Sequence, residues 1–285
     1  MQLNQTTHER LVDMLGRLKL TAIRDQLDRL MAEAARADLS LPEALAMLLE
    51  RELGRKHERR IDMGLSIAKF PQVCELATFD YKAQPSLDSK QIKELASSRW
   101  VALGETVLLL GPPGVGKTHL AIGLGRAAVG AGYSVLFCQA TSLVAGLAKA
   151  HAEGRLDDRL LQLAKPKLLI IDELGYLPFE PNAAHLFFQL VSRRYERGAT
   201  MITSNRAVGE WGTVFGDPVV ATAILDRLLH HSHVVTIRGD SYRLKEKRRS
   251  GLVARAAAVT SPAAAGEVTA AARATSPERR FSLRR

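Results

Sequence analysis

Cysteine is nearly absent from this 285-residue chain, with Cys74 and Cys138 the only two. They stand far apart and match neither a zinc-ligand spacing nor a disulfide framework, which excludes a stapled secreted scaffold and suits a reducing compartment. No run of about eighteen apolar residues occurs, so no membrane-spanning helix is expected. The opening residues, MQLNQTTHER, hold no apolar signal-peptide core, and a cytoplasmic location is the expectation. β-branched residues are scarce early in the chain, and large apolar residues are scarce late. What remains is ample, because 46% hydrophobic residues can fill one α/β domain with smaller appendages.

The formal charge of +10 is unevenly placed. Residues 1–75 carry twelve basic and twelve acidic side chains, and residues 76–237 carry sixteen against fourteen. Residues 238–285 carry twelve against four, so +8 lies there. A basic end attracts polyanions through counterion release, and a solubilising tail has the same composition.

Leu11, Met14, Leu15 and Leu18 recur at helical spacing, followed by Ile23, Leu27, Leu30 and Met31. Leu41, Leu45, Leu48, Leu49 and Leu53 mark another helix, opened by Ser40 with Pro42 and Glu43 in its first turn. A small all-α domain over 1–75 is expected. Arg51, Arg55, Arg59 and Arg60 fall near one helical face, either a solvated surface or a contact with DNA backbone or a partner. Residues 76–104 read as a connector with one helix over 88–96. Strands are then expected at 106–110, 134–138, 168–172, 199–203 and 233–237. Helices are expected near 117–130, 141–151, 156–164, 182–197 and 218–230. This alternation writes an α/β fold with a parallel sheet over 76–250. The Ala-rich remainder, 251–285, cannot bury enough surface to order itself and is expected to be disordered.

The stretch Gly111-Pro112-Pro113-Gly114-Val115-Gly116-Lys117-Thr118 follows the first of these strands and matches G-x-x-x-x-G-K-[ST] over its full length. In such a loop, glycines turn backbone N–H groups toward phosphate oxygens, a lysine reaches the outer phosphates, and a hydroxyl ligates Mg²⁺. An ordinary Gly/Pro turn between strand and helix is the plain alternative. Hydrolysis needs more, and Leu168-Leu169-Ile170-Ile171-Asp172-Glu173 offers it: a buried strand with two carboxylates at its carboxyl end. Asp172 supports the metal and Glu173 orients and polarises the attacking water, where a solvated acidic turn is the bland reading. The pair also speaks against a small-molecule kinase, whose acceptor displaces such a water. Asn205, leaving the next strand, has an amide suited to a water or γ-phosphate and is also a common strand-end residue. Arg227, near the end of an apolar helix, suits an arginine finger reaching a neighbour's nucleotide, or a surface pair with Asp226. His230, His231 and His233 read as structural, because no Cys or carboxylate stands at ligand spacing.

The loop GPPGVGKTHLA, the strand LLIIDELGYLPF, the segment RRYERGATMITSN, then W-x₃-F and AILDRLLHHSHVVTIRGDSYRLK together resemble IstB, the helper ATPase family of bacterial insertion sequences. IstB is similar to DnaC-type helicase loaders of the AAA+ superfamily, and the resemblance spans about residues 5–250. It implies an AAA+ P-loop ATPase with a five-stranded parallel sheet, in which the strand ending at Asn205 lies between those of the loop and of Asp172. It implies Mg²⁺-dependent hydrolysis of ATP, assembly of a homo-oligomer on double-stranded DNA, and delivery of target DNA to a transposase. A DnaC-like replicative helicase loader is the alternative. Residue by residue, it implies nucleotide contacts from Gly111 through Thr118 and His119, metal support from Thr118 and Asp172, and catalytic roles for Glu173, Asn205, Arg227 and Arg243. Lys149 and Arg155 fall in the helix pair that related initiators use to touch DNA. No lid domain is expected after Arg243, so a neighbouring subunit must close the nucleotide in.

Overall fold

The helical periodicity of the first residues resolves into α1 (Gln2–Arg17), α2 (Thr21–Arg24), α3 (Leu27–Arg36) and α4 (Leu41–Ala68) in a computed structural model. The structure describes residues 2–180, 182–239 and 241–242, so Arg243 and the segment 251–285 lie outside the described residues. Leu15, Ile23 and Leu27 form a small core here, with Leu11, Val12, Leu20 and Leu48 against it. Buried Glu52 ties α4 to α2 by accepting from the backbone N–H groups of Ala22 at 2.7 Å and Ile23 at 3.2 Å. At the start of α4, Glu43 reaches back to the Ser40 N–H at 2.8 Å, closing a capping box.

The basic face of α4 is partly committed to its own chain. Arg55 lies 3.5 Å from Asp25, and Arg59 donates to the Thr21 hydroxyl at 3.2 Å. The helix then continues well past its leucine stripe, and its second half lies on the α/β part. Ile61, Leu65 and Ala68 join the core on one face of the sheet. At Gly64 a Cβ would stand 2.8 Å from Val129 Cγ1, so any side chain there would force the two helices or Val129 to shift.

Two 3₁₀ turns, Leu76–Thr78 and Tyr81–Ala83, and the helices α5 (Ser89–Ala96) and α6 (Arg99–Leu103) lead to the sheet. Its strands are β1 (Thr106–Leu110), β2 (Val135–Gln139), β3 (Leu168–Leu174), β4 (Ala199–Ser204) and β5 (Ser232–Thr236). They pair in parallel in the order β2-β3-β4-β1-β5, with β4 between β1 and β3 as the resemblance implied. Crossovers run through α7 (Lys117–Gly130), α8 (Ala140–Ala152), α9 (Leu156–Ala164), α10 (Ala183–Arg194), α11 (Trp211–Phe215) and α12 (Pro218–Leu229). Successive strand residues serve opposite faces. Val107, Leu109, Ile170 and Met201 meet α5 and α7, whereas Leu108, Leu110, Ile171 and Ile202 meet α8 to α12.

Arg194 is almost wholly buried and takes the place of an apolar side chain between these layers. It donates to the carbonyls of Leu163, Pro166 and Ala199 and to the Thr200 hydroxyl, binding the end of α9 to the start of β4. Burial lowers its pKa to about 10, still a cation at neutral pH. Helix α10 stops there, short of the expected 197, because the chain turns through Glu196 in the left-handed region (φ 56°). The short helices α6 and α11 were not expected from the sequence. Trp211 and Phe215 of α11 are buried, with Phe215 stacked on Phe187. Among the described residues, no helix is long and apolar enough to cross a membrane.

Candidate functional site

The loop between β1 and α7 is held open by backbone that side chains would block. Gly116 sits at φ 98°, and a Cβ there would lie 2.6 Å from the Phe79 ring. Gly114 sits at φ 83°, where a Cβ would run into Ser241 Oγ. The loop is braced from behind by the Tyr242 N–H, which donates to the Gly114 carbonyl at 2.9 Å. Lys117 arches over the loop and donates to the Gly111 and Pro112 carbonyls, both at 2.8 Å. Thr118 opens α7 and directs its hydroxyl to both carboxylate oxygens of Asp172, at 3.0 and 3.1 Å. The two residues, 54 positions apart, thus present adjacent oxygen donors, a set suited to a hard divalent cation.

Asp172 is buried at the carboxyl end of β3. The register of β3 against β4 shifts between Ile171 and Leu174, and within that irregularity Glu173 adopts φ 62°. A non-glycine residue there carries strain of about 1–3 kcal/mol, tolerated when its surroundings over-determine it. Thr203 of β4, fully buried, is the restraint. Its hydroxyl donates to Asp172 Oδ1 at 2.6 Å and accepts from the Glu173 N–H at 2.9 Å. One threonine therefore links the two carboxylate residues and turns the Glu173 side chain outward. Just beyond β4, the Asn205 Oδ1 is buried without a hydrogen-bond partner among the described residues. A buried acceptor left so calls for a donor from a ligand or water.

These groups converge on one cavity of about 330 Å³, whose lining includes residues 113–119, Glu173, Tyr176, Asn205 and Tyr242. Its remaining wall comes from Thr78, Phe79, Asp80 and Gln84, in the segment read as a plain connector, and from Gln72 just before it. His119 lines the cavity and also fastens that wall. Its Nε2 is 3.0 Å from the Glu75 carbonyl oxygen, and its ring meets Phe79 edge-on at 5.5 Å. The aromatic pair Phe79 and Tyr81 in an otherwise polar stretch was the available signal for this wall.

Other expected site residues lie elsewhere. Arg227 donates to the Ser192 hydroxyl, and its guanidinium lies 4.4 Å above the Phe188 ring. These contacts, not one with Asp226, hold it. The recess around it includes Thr106 and Thr200, at the amino ends of β1 and β4, so Arg227 sits at the opposite end of the strands from the phosphate loop. Lys149 and Arg155 flank the turn between α8 and α9, away from the cavity, and share Glu153 as partner. The Arg155 hydrogen bond holds the Glu153 carboxyl below its usual pKa. His233 is occupied by Glu105 at 2.7 Å. Arg243 lies outside the described residues.

The family model described as IstB-like ATP binding protein matches residues 13–250. An ATP-binding protein assigned to insertion sequence IS21 of Pseudomonas aeruginosa is 48% identical over 240 residues, covering 84% of this chain and 91% of the relative. The corresponding protein assigned to IS5376 of Geobacillus stearothermophilus is 44% identical, covering 84% and 96%. Among solved structures, AMPPCP-bound DnaA from Aquifex aeolicus aligns with a TM-score of 0.51 at 20% identity, over 64% of this chain and 55% of that one. The last likeness concerns fold alone: a parallel five-stranded AAA+ P-loop architecture.

Proposed function

Since the chain belongs to the family of IstB-like ATP-binding proteins, we propose that it is the helper ATPase of an insertion sequence, hydrolysing ATP while assembled on double-stranded DNA and delivering that DNA to its transposase. The observation that carries the catalytic part is the linked set Thr118–Asp172–Thr203–Glu173, whose two ends, Thr118 and Glu173, line one cavity with the phosphate loop and Asn205.

In this reading the loop N–H groups and Lys117 cradle the phosphates of ATP, with Lys117 exchanging its loop carbonyls for phosphate oxygens. Phe79, Tyr176 and Tyr242 supply aromatic surface to the wall, suited to a purine base. Mg²⁺ would be held by Thr118, with Asp172 behind it, and would neutralise charge on the phosphates. Glu173 orients and polarises the attacking water, and the orphaned Asn205 oxygen accepts a hydrogen bond from that water. Arg227, remote from its own cavity, serves a neighbouring subunit's, leaving Ser192 to do so. Arg243 keeps the catalytic role that the resemblance implies. Lys149 and Arg155 contact DNA. The division at about residues 75 and 250 into helical domain, ATPase domain and tail belongs to the same reading. Relatives assigned to insertion sequences favour the transposition helper over a replicative helicase loader.

The test separates binding from turnover. Lys117→Ala should abolish ATP binding, whereas Glu173→Gln should bind ATP and stop phosphate release. Parental turnover by Glu173→Gln would remove the catalytic assignment. Failure of the parent to shift duplex DNA with ATP would remove the DNA part.

A further inference from the structure

At the far edge of the sheet the fold supplies the carboxylate that linear spacing withheld from the histidine-rich stretch. The turn after α10 places Glu196 beside the junction of α12 and β5, where His230 and His231 stand side by side. Glu196 Oε1 is 4.0 Å from His230 Nδ1 and 4.0 Å from His231 Nε2. The two imidazole rings lie 4.1 Å apart between centroids, inclined at 60°. One ligand atom from each of the three residues falls within 4.8 Å of the others, and all three side chains are open to solvent. The site therefore has an entry path.

We propose that Glu196, His230 and His231 bind one divalent transition metal of the zinc class, separate from any Mg²⁺ at the phosphate loop. Two imidazoles and one carboxylate form a donor set that favours zinc, nickel or copper over the all-oxygen preference of magnesium. Tetrahedral ligands about 2.1 Å from such an ion stand about 3.4 Å apart. Bringing ligand atoms in from 4.0–4.8 Å requires each of a pair to move by about 0.3–0.7 Å, within reach of exposed side chains. Tyr195 is the natural supporting residue. Its hydroxyl is 2.8 Å from His230 Nδ1 and also faces Glu196, so it can turn to the carboxylate when the imidazole nitrogen takes the metal. The fourth position is left to water or to a group from another molecule.

The site owes nothing to the nucleotide reading, but it shares a wall with Arg227. Tyr195, Glu196 and His231 line the same recess as that arginine. A bound ion cross-links the α10–β4 turn to the end of α12 and stiffens the surface on which Arg227 rests.

The test uses the tag-free full chain, titrated with Zn²⁺ against a chromophoric chelator and, separately, with Co²⁺ followed by its visible absorption. The expected result is a single site, resistant to excess Mg²⁺, with the intense Co²⁺ spectrum of tetrahedral coordination. His230→Ala, His231→Ala and Glu196→Gln should each weaken binding by about tenfold or more, while His57→Ala leaves it unchanged. Circular dichroism confirms that each variant is folded, and a zinc-dependent rise in the parent's unfolding midpoint gives a readout independent of mutation. Absence of binding, or binding that survives the His230→Ala/His231→Ala double variant, overturns the proposal.

Discussion

Replacing Thr203 by valine removes a single hydroxyl while keeping the side chain's shape, and the consequences follow from its two hydrogen bonds. The bond to Asp172 joins a neutral donor to a charged acceptor, worth about 1.5–3 kcal/mol, and the orphaned Glu173 N–H costs about 1–3 kcal/mol. Thr118 still donates to Asp172, and release of the strained Glu173 backbone returns about 1–3 kcal/mol. The net destabilisation should be about 1–3 kcal/mol, small enough for the fold to survive. Turnover should fall further, because a catalytic group displaced by about 1 Å can lose about a hundredfold in rate. Thr203 does not line the cavity, so nucleotide affinity should change little. The assay is phosphate release at saturating ATP with DNA, beside equilibrium binding of a fluorescent nucleotide and a thermal melt. Thr203→Ser should restore most of the rate. If the valine variant is folded and turns over ATP at the parental rate, or if serine is as slow as valine, the linkage through Thr203 does not position Glu173.

Arg227→Ala should bind nucleotide nearly normally and lose about a thousandfold or more in rate, and co-assembly with Lys117→Ala subunits on DNA should recover part of it at mixed junctions. No recovery despite confirmed co-assembly would end the shared-site mechanism. Binding to duplex DNA should weaken steeply with salt and depend little on sequence. Lys149→Ala and Arg155→Ala, each withdrawing one cation from the DNA phosphates, should each lower the slope of log K against log salt by about 1. An unchanged slope in gel shifts across a salt series would place the DNA surface elsewhere.

The sheet was legible because several of its strands are continuous apolar runs; Val107 to Leu110 and Leu168 to Ile171 are buried at every position. The phosphate loop was legible because glycine spacing is a local signal of backbone geometry. What escaped depends on contacts between residues far apart in the chain. Nothing around Glu173 advertises a left-handed conformation, since the usual mark of one is glycine and the strain is imposed by Thr203, thirty residues on. Thr203 itself looked like one more β-branched strand residue. The cavity wall at Phe79 and Asp80 was hidden because its partner His119 lies forty positions or more away. Arg227 was recognisable as a cation near a helix end, but its packing on Ser192 and Phe188 joins two helices whose contact no period reports. The metal disfavoured for the histidines lacked only a carboxylate, and Glu196 comes from a different crossover.

Placing Arg227 at the amino ends of the strands and the phosphate loop at their carboxyl ends gives the subunit a polarity. A pair built by two-fold symmetry would bury like against like and could not be extended by repeating the same contact. Donation of the arginine into the next cavity instead requires head-to-tail contacts, which either close into a ring or continue as an open helix. In an open assembly the terminal subunits are unlike: one holds a cavity that receives no arginine, and the other an arginine with no cavity to serve. Turnover per subunit then rises with assembly length toward a plateau, as end effects are diluted. In a ring it is independent of size once the ring has closed.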